Sequence, residues 1–282
     1  MVSRISAFNF LSVSALGADS LPTVVVLATG GTIAGAAPSE VQAAYSTGQV
    51  GVQQLIGAVP QAHTLASLRG EQISNTGSQD MNDEVWLKLA RRVNELATAS
   101  DVHGIVITHG TDTIEETAYF LNLVVKTRKP VVLTAAMRPS TALSADGLLN
   151  FYNAVAVAAD KDAAGRGVLV VINDWIHGAS SLTKTSTTAV QTFLSPLRGL
   201  IGTVAYGQAE FYRGPVGRNT MDSDRGCCRG WRKRNSGCRG WQRQYDAGRA
   251  RRSRRTIQER YCVRTLFTRR HRTRRSQRGS GR

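Results

Sequence analysis

The residues best suited to chemistry stand in short polar loops that follow apolar runs. Thr32 comes directly after Gly30 and Gly31, and that pair ends the run Val24, Val25, Val26, Leu27. Glycine takes positive φ without a Cβ clash, so a tight turn here sets the Thr32 hydroxyl just beyond the carboxyl end of a strand, where open α/β sheets bind ligands. Taken alone, the stretch also fits a plain strand followed by a flexible turn. Three further loops carry small polar groups: Gly77-Ser78-Gln79-Asp80, His109-Gly110-Thr111-Asp112-Thr113 and Ala136-Met137-Arg138-Pro139-Ser140. The middle loop also reads as a helix start, because Thr113 with Glu116, or Asp112 with Glu115, has the spacing of a capping box. The two readings are compatible, since a helix amino end offers free N–H groups and positive potential to an anionic ligand. His109 by itself reads as structural.

Between residues 21 and 217 the chain alternates apolar strands with amphipathic helices. The expected strands are 24–27, 71–75, 104–108, 131–135, 168–172 and 202–206, and the expected helices are 50–59, 83–99, 113–125 and 146–159. In the second helix Val85, Leu89, Val93 and Leu96 recur on one face. Such alternation predicts an α/β fold, a mostly parallel sheet with helices on both faces, and it puts the functional residues in the loops after the strands.

The net charge of +16 over 282 residues suggests a nucleic-acid binder until the charge is located. Residues 223–282 hold 20 Arg and one Lys against Asp224, Asp246 and Glu259, so this stretch carries +18 and everything before it −2. Cys227, Cys228, Cys238 and Cys262 also fall in it, at spacings that do not match zinc ligands. At the other end, Arg4 precedes Phe8, Phe10, Leu11 and Val13, with Ala15, Gly17 and Ala18 after them. This resembles a secretory signal over residues 1–20, and periplasmic or secreted placement is expected from it, cytoplasmic otherwise. No later run reaches the ~18 uncharged apolar residues of a transmembrane span.

Five segments taken together resemble the bacterial L-asparaginases, in particular the exported type II branch that includes glutaminase-asparaginases. They are TGGTIAG at 29–35, GSQDMND at 77–83, ITHGTDTIEETAYF at 107–120, AMRPSTALSADG at 136–147 and TKTST at 183–187, in the family's order. The resemblance implies that 21–218 is the family's amino-terminal catalytic domain. It makes Thr32 the nucleophile on the substrate's side-chain amide, with Tyr45 on a loop hydrogen-bonding to it. Thr111, Asp112 and Lys184 become a second catalytic cluster that helps to move the nucleophile's proton, since a hydroxyl is a poor nucleophile until a base takes that proton. Ser78, Gln79 and Asp112 become the binders of the substrate's α-carboxylate and α-ammonium groups. Such recognition needs neither metal nor cofactor, and the substrate implied is L-asparagine, or L-glutamine.

The resemblance stops near residue 217. The family continues with a smaller α/β domain that supplies a glutamate to a neighbouring subunit's site and builds much of a homotetramer. Residues 219–282 contain RGWRKRNSGCRGW and RARRSRR instead, with almost no apolar periodicity, and are expected to be disordered. They read as a GC-rich gene in the wrong frame rather than a nucleic-acid-binding arm. On this reading the chain as written has little asparaginase activity. The rival reading is a binding protein that keeps the pocket without turnover and uses the tail on RNA or DNA. Retention of Thr32, Tyr45, Thr111, Asp112 and Lys184 argues against it.

Overall fold

The apolar run that precedes Thr32 is the centre of the sheet. In a computed structural model that describes residues 20–35 and 50–214, it lies in β1 (Thr23–Gly30), and Val24, Val25, Val26 and Leu27 are all fully buried. A strand buried on both faces has no need of alternation, which is why four consecutive apolar side chains stand here. Each contributes about 1.5–3 kcal/mol by leaving water.

Around β1 the chain winds both ways. The chain runs from β1 through α1 (Val52–Gly57) to β2 (Ser67–Thr76), then through α2 (Asp83–Thr98) to β3 (Gly104–Thr108). It continues through α3 (Ile114–Val124) to β4 (Val131–Thr134) and through α4 (Gly147–Ala159) to β5 (Val168–Ile172). These five strands pair in parallel in the order β2-β1-β3-β4-β5. Helices α2 and α3 pack on one face, over Val25, Leu27, Ile105, Ile107 and Leu133. Helices α1 and α4 pack on the other, over Val24, Val26, Val106, Val132 and Leu169. The fold is therefore α/β, with a mostly parallel sheet covered on both faces.

The far edge departs from the simple alternation. After β5 the chain reverses through Asn173 and Asp174, both at positive φ (50° and 64°), and pairs antiparallel as β6 (Trp175–Gly178). Two left-handed residues make the hairpin turn whose twist matches that of the strands, and Asn and Asp tolerate that conformation better than other side chains. A short ribbon of β7 (Thr183–Lys184) and β8 (Phe193–Leu194) follows. The sheet then ends with β9 (Gly202–Ala205) and β10 (Gln208–Phe211), joined through Tyr206 and Gly207, again both at positive φ.

Boundaries differ from expectation where local chemistry intervenes. The helix expected over 50–59 is shorter, because Pro60 opens a separate 3-10 turn, Pro60–Thr64. The strand expected over 71–75 begins four residues earlier, at Ser67; its exposed edge position leaves it little apolar signal. Helix α2 is capped by Asn82, whose side chain accepts the Glu84 and Val85 N–H groups at 3.1 and 3.2 Å. Its buried face centres on Trp86, Leu89, Val93 and Leu96, with Val85 only half-buried.

Candidate active site

In the order β2-β1-β3-β4-β5, the direction of winding reverses between β1 and β3. Loops that leave the carboxyl ends of these two strands diverge to opposite faces, which opens the crevice where such sheets bind ligands. The loop after β1 carries Thr32 and the loop after β3 carries Thr111 and Asp112.

Two glycines let these loops touch. Gly31 has φ 80° and ψ −172°, a conformation essentially closed to other residues, and a Cβ on it would lie 2.4 Å from both the Cα and the N of Gly110. A Cβ on Gly110 would in turn lie 2.6 Å from Ser78 Oγ and 3.2 Å from the Cα of Gly31. The residues just before Thr32 and Thr111 are thus in backbone contact, with Ser78 against them. Side chains lock the strand ends together: Thr29 Oγ1 donates to the Thr108 carbonyl at 2.9 Å, and Ser74 Oγ donates to the Thr29 carbonyl at 2.9 Å.

The loop after β2 is fastened to the loop after β3 through one residue. Ser78 Oγ accepts the Asp112 N–H at 3.1 Å, and the Ser78 carbonyl accepts the Thr113 hydroxyl at 2.7 Å. This corrects the capping-box reading: Thr113 precedes α3 but makes no side-chain cap, because its hydroxyl is committed to Ser78. Ser78 is buried while its neighbour Gln79 is exposed at the rim.

Lys184 comes from far along the chain and completes the cluster. Its Nζ donates to Thr111 Oγ1 at 2.8 Å and to Asp112 Oδ1 at 2.7 Å. The lysine side chain is 15% exposed and that of Asp112 58%, so the pair has one end in the protein and one at the crevice surface. Its backbone is held as well, because the Lys184 N–H donates to the buried Glu115 Oε2 at 2.9 Å. In the sequence Glu115 reads only as the capping-box partner of Asp112, a local pattern that contains no pointer to Lys184.

His109 directly follows β3 and is fully buried. Burial pushes its imidazole down to about 4, so the ring is neutral at neutral pH. Its Nδ1 lies 2.8 Å from the Gly110 carbonyl and its Nε2 lies 3.0 Å from Thr117 Oγ1, which also accepts Trp86 Nε1–H at 2.8 Å. Tyr45 lies outside the described residues, as do the segments 1–19 and 215–282 to which the signal and tail expectations apply. The two ends that bracket Tyr45 are joined beside Thr32, where the Val50 N–H donates to the Ala34 carbonyl at 2.9 Å. Ser140, in the loop after β4, braces the same place by donating its hydroxyl and its N–H to the Gly35 carbonyl at 2.7 and 3.0 Å. Among the described residues no group of His, Cys, Asp and Glu could hold a metal ion, and no helix is long and apolar enough to cross a membrane.

Residues 23–217 match the family model described as asparaginase, N-terminal. The chain belongs to the asparaginase family. Within it, the chain is 55% identical over 213 residues to the probable periplasmic L-asparaginase of Haemophilus influenzae, covering 76% of this chain and 60% of that protein. It is 53% identical to L-asparaginase 2 of Escherichia coli, over 72% of this chain and 58% of that one. A glutaminase-asparaginase of Pseudomonas fluorescens is 53% identical over 72% of this chain and 56% of its own length. Among solved structures, a probable cytoplasmic L-asparaginase from Campylobacter jejuni superposes with a TM-score of 0.70 at 47% identity, covering 72% of this chain and 62% of that one. The chain thus spans about 60% or less of the length of these curated relatives. Their names place family members in both the periplasm and the cytoplasm.

Proposed function

We propose that this site hydrolyses the side-chain amide of L-asparagine to L-aspartate and ammonia. The observation that carries the reading is the Lys184 ammonium bridging Thr111 Oγ1 and Asp112 Oδ1, on a loop whose backbone touches that of the Thr32 loop. Thr32 Oγ attacks the amide carbon while its proton passes toward the Thr111–Lys184–Asp112 cluster. The C–N bond of the tetrahedral intermediate then breaks, the nitrogen leaves as ammonia with the transferred proton, and the acyl group stays on Thr32. Water hydrolyses this ester, which releases aspartate and restores the hydroxyl. Backbone N–H groups near Thr32 and Thr111 stabilise the oxyanion, a contribution of about 2.7–4 kcal/mol per donor in comparable sites.

Recognition follows from the same three loops. Ser78 Oγ accepts the Asp112 N–H and has its own proton to give to an α-carboxylate. Asp112 presents a half-exposed carboxylate to an α-ammonium group. Gln79 stands at the rim beside them. The pairing suits a zwitterionic amino acid and needs no metal. The names of the relatives support both asparagine and glutamine as substrates for the family. Tyr45 is assigned to the Thr32 hydroxyl by the family resemblance, and periplasmic placement by the amino-terminal segment.

Ammonia release from L-asparagine by the full 282-residue chain, with Thr32→Ala as control, tests the proposal. Loss of the nucleophile lowers release by at least about a thousandfold. Turnover by Thr32→Ala at the parental rate removes Thr32 from the mechanism. The low turnover expected from the sequence after residue 217 is separated from the chemistry by calorimetric titration with L-aspartate. Binding without turnover locates the loss in that segment, whereas loss of both overturns the site.

A further inference from the structure

We infer that His109 is a positioning residue, whose Nδ1–H holds the Gly110 carbonyl and so fixes the Gly110–Thr111 peptide with the Thr111 N–H turned to the opposite side. Gly110 has to be glycine because of Gly31 and Ser78, and a glycine leaves its own peptide planes free to rotate. Something else must then choose the plane, and the buried imidazole does so.

Every proton in this arrangement is determined. The Gly110 carbonyl can only accept, so Nδ1 carries the hydrogen across the 2.8 Å contact. The ring is neutral, so Nε2 presents a lone pair, and the Thr117 hydroxyl 3.0 Å away must donate to it. Trp86 Nε1 can only donate, and it does so to the oxygen of the same hydroxyl at 2.8 Å. A single direction therefore runs from Trp86 on α2, through Thr117 on α3 and His109 at the end of β3, to the loop carrying Thr111. Both His109 and Thr117 are fully buried, which keeps water from offering either group a second partner.

Peptide planarity carries the effect into the crevice. With the Gly110 oxygen held toward His109, the Thr111 N–H points away from it, while Thr111 Oγ1 remains on Lys184. If the ring took the other tautomer, two lone pairs would face each other at Gly110 and the peptide would turn. The consequence for turnover rests on the hydrolytic function proposed above; the clamp itself does not.

The test pairs a spectroscopic with a kinetic readout on the full chain. Long-range ¹H–¹⁵N correlation of the imidazoles at pH 7, with His109 assigned by its loss in His109→Gln, should show a neutral ring protonated at Nδ1. A ring protonated at Nε2, or a charged one, overturns the inference. Thr117→Val removes the hydroxyl at nearly constant shape, and Thr117→Ser restores it. Thr117→Val should lower kcat by about tenfold to a hundredfold with KM changed less than about threefold, and Thr117→Ser should return kcat to within about threefold of the parent. A Thr117→Val protein that melts earlier but keeps parental kcat while folded shows a purely structural role and sinks the proposal. If the parent chain shows no turnover, the kinetic comparison has no reference rate and the tautomer alone decides the clamp; the hydrolytic function is then judged by the L-aspartate titration described above.

Discussion

Gly31→Ala is the substitution most directly read from the geometry. The added Cβ would lie 2.4 Å from the Cα and N of Gly110 and 2.8 Å from the carbonyl carbon of His109, all backbone atoms that cannot rotate away. Ordinary contact begins near 3.4 Å, so the loops after β1 and β3 must separate by about 1 Å. Alanine must also adopt φ 80° with ψ −172°, or the turn must change; that costs about 1–3 kcal/mol, and overpacking adds a similar amount. A total of at least about 2 kcal/mol lowers Tm by about 4 °C or more in a domain of this size. The 1 Å displacement between Thr32 and the Lys184 cluster costs about a hundredfold in kcat/KM. Gly57→Ala is the control: it closes α1, a Cβ there meets nothing within 4 Å, and the change should be neutral or stabilise by up to about 1 kcal/mol. Thermal melting by circular dichroism and ammonia release are measured on all three proteins. Parental Tm and parental rate in Gly31→Ala would refute the close approach on which the site depends.

Three further outcomes test other parts. Asp112→Asn removes charge at nearly constant shape, and both kcat and KM should worsen by about tenfold or more; a change in KM alone leaves Asp112 as a binder only. Glu115→Ala deletes the acceptor of the Lys184 N–H, and kcat should fall by about tenfold with smaller change in KM; unchanged kinetics would show that Lys184 is held without it. His109 and His177 are both pushed down to about 4 by burial, from 6.5, so the unfolded chain takes up protons that the folded chain refuses. Stability is therefore intact above about pH 6.5, falls as pH drops toward 4 and levels below that, by of order 3 kcal/mol for each ring. Urea unfolding at pH 7 and pH 4.5 checks this, and His177→Leu should remove part of the slope; equal stability at the two pH values contradicts it.

The parallel half of the sheet was legible because its information is local. Val24 to Leu27, Ile105 to Ile107 and Val168 to Ile172 are apolar runs bounded by glycine or polar loops, and the helices between them repeat at 3.6 residues. Of the antiparallel edge only β9 was legible, as the strand expected over 202–206; β6 was not, since its signal is the two-residue turn Asn173-Asp174, which resembles any polar loop until its φ angles are known. The grouping of Thr111, Asp112 and Lys184 was legible from the family motif, and the structure brings the three together, but the pairings that brace them were not. Thr113 looks like a cap and is tied to Ser78, 35 positions away. Glu115 looks like the capping-box partner of Asp112 and holds the backbone of Lys184, 69 positions away. Both pairings depend on which strand lies next to which, and periodicity within a segment contains no such term.

That long-range term also explains why the cluster has its place. Lys184 sits on a two-stranded ribbon that is separate from the main sheet, so its place at the site must be set by bonds from the ribbon to that sheet's loops. Three bonds do this, from Nζ to Thr111 and Asp112 and from the backbone N–H to Glu115, and all three acceptors lie between the end of β3 and the first turn of α3. The ribbon is therefore referenced to α3, and α3 to the sheet through Ile114, Ala118 and Leu121 in the core beneath it. The Thr32 turn is referenced to the same strand by the Gly31–Gly110 contact. Thr32 and the Lys184 cluster, the proposed nucleophile and proton relay, thus share one frame, the carboxyl end of β3. A displacement of that strand end shifts both together, whereas loosening any single tether changes their separation, and the proposed proton transfer requires that separation to be held to within about 1 Å.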